Sequence, residues 1–174
     1  MLENRENHAI FDEFGNSLTS YLSTSKEGER VPLLSDFYLP NQNLGHFLEN
    51  LDILEEKLKL DLPIYGSYLT STYSLRPGFN LTEPDFNKKA LTLLKAGAYV
   101  IDRQSGLLAG KTPEGRVKAI ITNSAFSDEE KALYGEIKTI FDENGILNPS
   151  VKLGADTRST IRYFRTSSPA KIVI

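Results

Sequence analysis

The sequence predicts an α+β fold of the ferredoxin-like split βαβ type, in which two helices cover one face of an antiparallel sheet and further helices follow. Two observations support this prediction. Apolar residues recur at three- and four-residue steps in two separate stretches, which is the helical period, and segments rich in Tyr, Leu, Thr and Ile surround them. The resulting order is strand–helix–strand–strand–helix–strand, which is the order of a split βαβ unit.

The first strand and the first helix follow one another closely. The segment Val31–Leu39 has strand composition, and Pro40 stops it. Asn41 or Asn43 can cap the helix that comes next. The apolar face of this helix consists of Leu44, Phe47, Leu48, Leu51, Leu54 and Leu58.

Two strands, a second helix and a short strand complete the unit. Leu62–Leu69 and Thr72–Asn80 form the strands, joined by a Ser/Thr turn. Thr82 can cap the second helix, and Pro84 fits its first turn because the missing N–H costs little there. Gly106–Ala109 is the last strand. The apolar face of the second helix consists of Phe86, Ala90, Leu93, Leu94, Gly97 and Ile101.

Further helical and strand patterns flank this unit. Residues 1–30 are polar, with a weak helical pattern that ends in a loop-like run. Ser127–Glu130 is a capping box that opens a helix, and Asn144–Gly145 ends it. A short strand is expected at Thr160–Thr166. The residues of the capped helix expected to face inward are Leu133, Ile137, Ile140 and Phe141.

The composition excludes several classes of protein. The chain has 174 residues, 40% hydrophobic and 25% charged, which is ordinary for a globular protein. A net charge of −3 and the lack of a Lys/Arg block argue against nucleic acid as a partner. The absence of Cys excludes disulfides and a thiolate nucleophile. With no apolar run of membrane-spanning length and no signal-peptide core at the N-terminus, a cytoplasmic location is expected.

Three segments, in order and at matching separations, resemble the C-terminal domain of FAD-linked oxidases of the D-lactate dehydrogenase and glycolate oxidase type. The segment VPLLSDFYLP is similar to that family's first strand. The segment YGSYLTSTYSLRP lies where members carry a GHxGDGNxHxRP hairpin. The third segment begins with GKTPEGRVK and ends with IKTIFDENGILNP, where members read GEHGxGxxK and then IKxxFDPxGxLNPG. The last match is the most specific of the three.

The resemblance implies a domain organisation and a function. It divides the chain into an N-terminal helix/loop extension (1–30), an FAD-linked oxidase C-terminal domain (31–152) and a tail with a short strand (153–174). The domain would supply the substrate side of an FAD-dependent oxidoreductase that acts on a 2-hydroxy acid or a similar small hydroxy compound. FAD would be bound mainly by an FAD-binding domain or subunit that this chain does not contain, so the chain alone is expected to be inactive.

The resemblance also points to a lost metal site. Metal-using members hold a divalent ion with two His of the hairpin and the Glu of GEHG. The corresponding residues here are Ser67, Ser74 and Lys111, and Thr112 replaces the His of GEHG. Hydroxyls and an ammonium group are poor metal ligands, so no metal and no His acid or base are expected.

Four residues are candidates for the site. Asn148, before the final proline of the motif, is expected near the flavin, although Asn-Pro also commonly ends a helix with a turn. Arg76 can pair with a substrate carboxylate, and Lys118 corresponds to the lysine of GxxK. Lys111 could replace the charge of the metal. For the cations, the alternative is a solvated surface position. No catalytic residue is assigned.

Two other classes of function fit the same sequence. A non-catalytic ferredoxin-like binding or scaffolding domain would dock a partner through an exposed apolar face. A ferredoxin-like domain that binds a small molecule other than flavin is the third possibility. An adjoining coding region with FAD-binding signals would favour the enzyme over both alternatives.

Overall fold

A computed structural model describes Glu13, residues 24–25, 28–110 and 115–162, and Phe164. The architecture is α+β, with helices packed on an antiparallel sheet, as the sequence predicts. The strands are β1 (Thr24–Ser25), β2 (Gly28–Arg30), β3 (Leu34–Tyr38), β4 (Ile64–Ser67), β5 (Thr72–Leu75) and β6 (Gly78–Phe79). The helices are α1 (Leu44–Leu58), α2 (Phe86–Arg103), α3 (Gly115–Thr122), α4 (Asp128–Phe141) and α5 (Thr157–Arg162).

The central sheet has the strand order of a split βαβ unit. β5 lies between β3 and β4 and is antiparallel to both. On the far side of β3, Leu107 forms an antiparallel bridge with Tyr38, and both backbone N–H groups donate across it, at 2.8 and 2.9 Å. The predicted fourth strand, Gly106–Ala109, is thus reduced to a single bridge. The order from one edge to the other is Leu107, β3, β5, β4.

The core lies between this sheet and the two long helices. Phe37 of β3 contacts Phe47 of α1, with ring centroids 5.5 Å apart. A Cβ on Gly97 of α2 would collide with Leu34 of β3, so glycine lets this helix approach the sheet. Every residue predicted for the inner face of α2 is buried. On α1 the prediction was wrong for Leu48, which is exposed.

The helix starts differ from the predicted caps. Asn43 occupies the N-cap of α1, but its side-chain amide donates to the carbonyl of Gln104 at 2.7 Å, which ties the start of α1 to the end of α2. Thr82 does not cap α2, which begins four residues later. The hydroxyl of Thr82 instead donates to Asn80 Oδ1 at 2.7 Å.

Backbone geometry shortens the predicted strands. The Ser/Thr turn includes a 3-10 turn, Tyr68–Thr70, followed by Ser71 at a φ of 52°. The segment Thr72–Asn80 is split at Arg76–Pro77 into β5 and β6, because proline has no N–H to donate to the sheet. β6 pairs with β2, which in turn pairs with β1. β1 lies within the loop-like run predicted at Ser23–Gly28, and β2 begins at the last residue of that run. The apolar residues of the helix predicted within residues 1–30 lie outside the described residues.

The C-terminal region departs most from the predictions. The capping box of α4 is confirmed, since Ser127 Oγ accepts from the N–H of Glu130 and Glu130 Oε2 accepts from the N–H of Ser127. The predicted inward residues of α4 are instead exposed. α3 was not predicted. The strand predicted at Thr160–Thr166 was wrong in its described part, where α5 is helical.

Candidate functional site

The face of the sheet opposite the helices is formed by the hairpin that resembles the flavoenzyme motif. Along β5, Tyr73 and Leu75 are buried in the core, so the alternating residues Thr72 and Ser74 point to the other face. Cross-strand pairing extends this open face. The residues paired directly with Thr72 or Ser74 are Tyr38, Tyr65 and Ser67.

Arg76 is held against this open face by Tyr65. Its Nε donates to the Tyr65 hydroxyl at 3.0 Å, and its Cζ lies 5.7 Å from the centroid of the Tyr65 ring. Its backbone N–H donates to the carbonyl of Pro63 at 3.2 Å, which fixes the end of β5 beside the start of β4. A guanidinium held by a ring and a hydroxyl loses little freedom when it binds a carboxylate.

The two hairpin positions that correspond to metal ligands lie on this same open face. Ser67 pairs with Thr72, and Ser74 pairs with Tyr65, so the two serines are diagonal neighbours across β4 and β5. Ser74 Oγ accepts from the backbone N–H of Asp36 at 2.8 Å. Among the described residues, no three His, Asp or Glu side chains are grouped so as to hold a metal ion. Lys111, the third corresponding position, lies outside the described residues.

Lys118 is buried at an irregular edge of the sheet. Only 2% of the residue is exposed, and its Nζ donates to the carbonyls of Ser35 at 2.7 Å, Leu108 at 3.0 Å and Asp36 at 3.4 Å. The β3–β5 register shifts between Leu34 and Phe37, and Asp36 has a φ of 55°. The ammonium group thus stabilises carbonyls next to a β-bulge. The structure gives Lys118 a structural role, and the substrate contact expected for it stays a prediction.

Asn148 lies in a turn that is organised by Asp142. The Asp142 carboxylate accepts from Lys138 Nζ and from the N–H groups of Ile146 at 2.8 Å and Leu147 at 2.9 Å. The hydrogen bond from Lys138 is the main reason why the pKa of Asp142 is lowered; the backbone donors act in the same direction, against the effect of burial. Asn148 is exposed, with a φ of 46°. The spacing of four residues between Lys138, in the last turn of α4, and Asp142, its C-cap residue, was the signal in the sequence for this network.

Arg76 and Asn148 have different neighbours. Arg76 contacts the hairpin, whereas the two residues after Asn148 are held by Arg116 of α3, whose Nη1 donates to Pro149 O at 3.3 Å and Ser150 O at 3.4 Å. The Arg116 hydrogen bonds thus connect the Asn148 turn to α3. A shared surface for Arg76 and Asn148 stays a prediction.

A separate groove lies between α2, α3 and the Leu107 bridge. Its volume is about 470 Å³, within the range of small-molecule sites. Two charged residues of α2, Lys95 and Asp102, line the groove. No motif in the sequence indicates this groove, because it arises from how α2, the Leu107 bridge and the end of α3 pack together, which local patterns do not specify. The apolar lining includes Ala98, Ile101, Leu108, Ile121, Ala125 and Phe126.

No family model matches the chain, and no match is found among curated proteins. Within the described residues, none of the helices combines the length and apolar character needed to cross a membrane. The open sheet face, the Asn148 turn and the α2–α3 groove are therefore the structural basis for any functional assignment.

Proposed function

We propose that this chain is the substrate-side domain of an FAD-dependent oxidoreductase that oxidises a 2-hydroxy acid or a similar small hydroxy compound in the cytoplasm. The observation that supports it most is the Arg76 guanidinium held against Tyr65 on the open sheet face. This pair lies in the hairpin that resembles the oxidase motif, and the sheet order is that of the split βαβ unit. FAD would come from a domain or subunit that this chain does not contain.

The open face can bind the substrate without a metal. A guanidinium forms two parallel hydrogen bonds with a carboxylate, which is the group that distinguishes a hydroxy acid from a simple alcohol. Tyr65 would orient Arg76 through its hydroxyl and ring. Ser67 on the same face offers a neutral hydroxyl that can donate to the substrate. The positive charge of Arg76 would partly replace that of a metal ion.

This chain would supply only a small part of a flavin-binding site. FAD, when bound, accepts a hydride from the substrate. Asn148 is exposed on a turn, and its side-chain amide can both donate to and accept from the edge of a flavin ring. Among the described residues, no strand leads through a glycine-rich turn into a helix N-terminus that could hold the pyrophosphate. The chain is therefore expected to purify without colour.

Carboxylate binding by the open face can be tested on the chain alone. We expect millimolar glycolate or lactate to shift NMR signals of Arg76 Nε and of the amides of Tyr65 and Ser74. Because the guanidinium supplies the binding charge, Arg76→Ala should abolish these shifts. Arg103→Ala is the matched control, since Arg103 is an exposed arginine on α2.

Two outcomes would contradict the proposal. Equal shifts with 1,2-propanediol would show that the carboxylate is not what is recognised. Stoichiometric flavin that stays with the chain through gel filtration would exclude an FAD site located mainly on another module. In an enzyme completed by its FAD-binding module, Arg76→Ala should raise KM about tenfold or more for an acidic substrate. Asn148→Ala should weaken FAD retention or slow flavin reduction.

The exposed apolar face of α4 supports a second candidate, a non-catalytic binding or scaffolding domain. None of the described residues of this helix is buried, although the helix carries a full apolar face. Exposed apolar patches of this kind commonly mark protein interfaces. The carboxylate titration separates the two candidates, because a scaffolding domain has no reason to bind hydroxy acids at Arg76.

A further inference from the structure

Helix α4 presents an apolar face that no described part of the chain covers. Leu133 is 55% exposed, Ile137 42%, Ile140 76% and Phe141 79%. These positions recur at three- and four-residue steps, so they form one stripe along the helix. The described contact that links α4 to the preceding segment is at its edge, where Tyr134 packs against Phe126 with ring centroids 5.2 Å apart.

The turn after α4 extends this apolar surface. Ile146 is 72% exposed and Leu147 is 57% exposed. Both have their backbone N–H groups bound to the Asp142 carboxylate, and Lys138 also donates to the Leu147 carbonyl at 2.6 Å. A turn held by four hydrogen bonds presents its side chains in one arrangement, which lowers the entropic cost of docking.

One edge of the apolar stripe is acidic. Glu129 and Glu136 of α4 are seven residues apart, which places them along the same side of the stripe, and Glu143 follows in the turn after the helix; all three are exposed. The two lysines of α4 face carboxylates of the same segment, since Lys131 pairs with Asp128 and Lys138 with Asp142. The carboxylates of this segment are Asp128, Glu129, Glu130, Glu136, Asp142 and Glu143, against those two lysines.

We infer that α4 and the following turn form a docking surface for a protein partner that presents an apolar groove edged by lysine or arginine. Apolar residues would supply the buried area, and the acidic edge would select a basic partner. A second copy of this chain is a poor occupant, because an antiparallel pair of α4 helices would bring two acidic edges together. The inference goes beyond the proposed function, since it holds whether or not the partner carries FAD.

Two synthetic peptides can test this surface. Both would be amphipathic helices with the same leucine stripe, one flanked by lysines and the other by glutamates. Fluorescence anisotropy with the full chain should show that the lysine peptide binds about tenfold more tightly or better. Raising the salt from about 20 mM to about 500 mM should reduce that difference, because salt screens exposed charges.

Single substitutions in the chain test whether the lysine peptide binds to α4. Ile140→Ser should weaken binding of the lysine peptide about tenfold, whereas Ile53→Ser should leave it unchanged. Ile53 is the matched control because it is an isoleucine on α1 that is 62% exposed. Glu136→Lys should remove the preference for the lysine peptide. Equal binding by both peptides, or no effect of Ile140→Ser, would overturn the inference. A dimer in sedimentation velocity that Ile140→Ser abolishes would also overturn it, in favour of self-association.

Discussion

Helices α1 and α4 have the same kind of apolar spacing and opposite surroundings. Leu51 of α1 is 4% exposed, whereas Leu133 of α4 is 55% exposed. α1 packs on the sheet through Phe47 and Phe37. α4 reaches the preceding segment through the contact of Tyr134 with Phe126. Helical periodicity therefore tells which side of a helix is apolar, and the surrounding chain decides whether that side is covered.

The largest effect is expected in the core. Leu51→Ala should lower the free energy of unfolding by about 2–5 kcal/mol, because it leaves a cavity between α1 and the sheet. Leu133→Ala, the same change on α4, should cost less than about 0.5 kcal/mol. Urea denaturation measures both. A loss below about 0.5 kcal/mol for Leu51→Ala would place that face of α1 outside the core.

A smaller but clear loss is expected at the bulged edge of the sheet. Lys118→Met keeps most of the side-chain volume but leaves carbonyls of Ser35 and Leu108 without their charged donor. We expect a loss of about 3 kcal/mol, given the strength of hydrogen bonds to charged groups. Lys95→Met, at an exposed lysine of α2, is the control and should change stability little. Equal stability of the two variants would contradict a structural role for Lys118.

Tyr73→Phe should cost about 1 kcal/mol, because it removes a single neutral hydrogen bond. The Tyr73 hydroxyl donates to Asn41 Oδ1 at 2.8 Å, which links β5 to the start of α1. Tyr99→Phe on α2 is the control, as Tyr99 is 64% exposed. Thermal unfolding compares the two. A Tm change for Tyr99→Phe as large as that for Tyr73→Phe would show that the hydrogen bond adds nothing.

The turn after α4 should respond to acid locally. The pKa of Asp142 is lowered, chiefly by the hydrogen bond from Lys138, so its contribution is present above the ordinary pKa and is lost as the pH falls through the lowered value. The NMR protection factors of the Ile146 and Leu147 amides, which are exchange rates relative to the intrinsic rate at the same pH, should fall as the pH drops below the ordinary carboxyl pKa of about 3.9. In Asp142→Asn this acid-dependent step should be absent. Asp102→Asn, at an exposed carboxylate, should behave like the wild type.

The sequence predicts the central unit well, because long periodic patterns report on burial. All predicted inner positions of α2 are buried, and the hairpin of β4 and β5 lies where Tyr- and Thr-rich segments indicate it. The prediction that Leu48 is buried is wrong because this residue lies at the margin of the apolar face of α1. The prediction that Ile140 faces inward is wrong because apolar spacing does not specify which part of the chain covers a helix.

Other features depend on contacts that no local pattern encodes. Helix α3 is only eight residues long, and its buried residues include a lysine, Lys118, which sequence patterns place at the surface. Asp36, at a φ of 55°, has its carbonyl in contact with Lys118, which lies 82 positions later in the chain. The Arg76–Tyr65 pair on the open face needs the register of β4 against β5, which composition does not specify.

The contact of Lys118 with β3 has a consequence for how the chain folds. When residues 28–110 leave the ribosome, the outer edge of β3 is bridged at Tyr38, but the carbonyls of Ser35 and Asp36 still await Lys118. A strand edge with unused acceptors can recruit a strand from another chain. Release of a truncated product that ends before Gly115 should therefore favour aggregation, whereas a longer product that includes Lys118 carries the lysine that closes the edge.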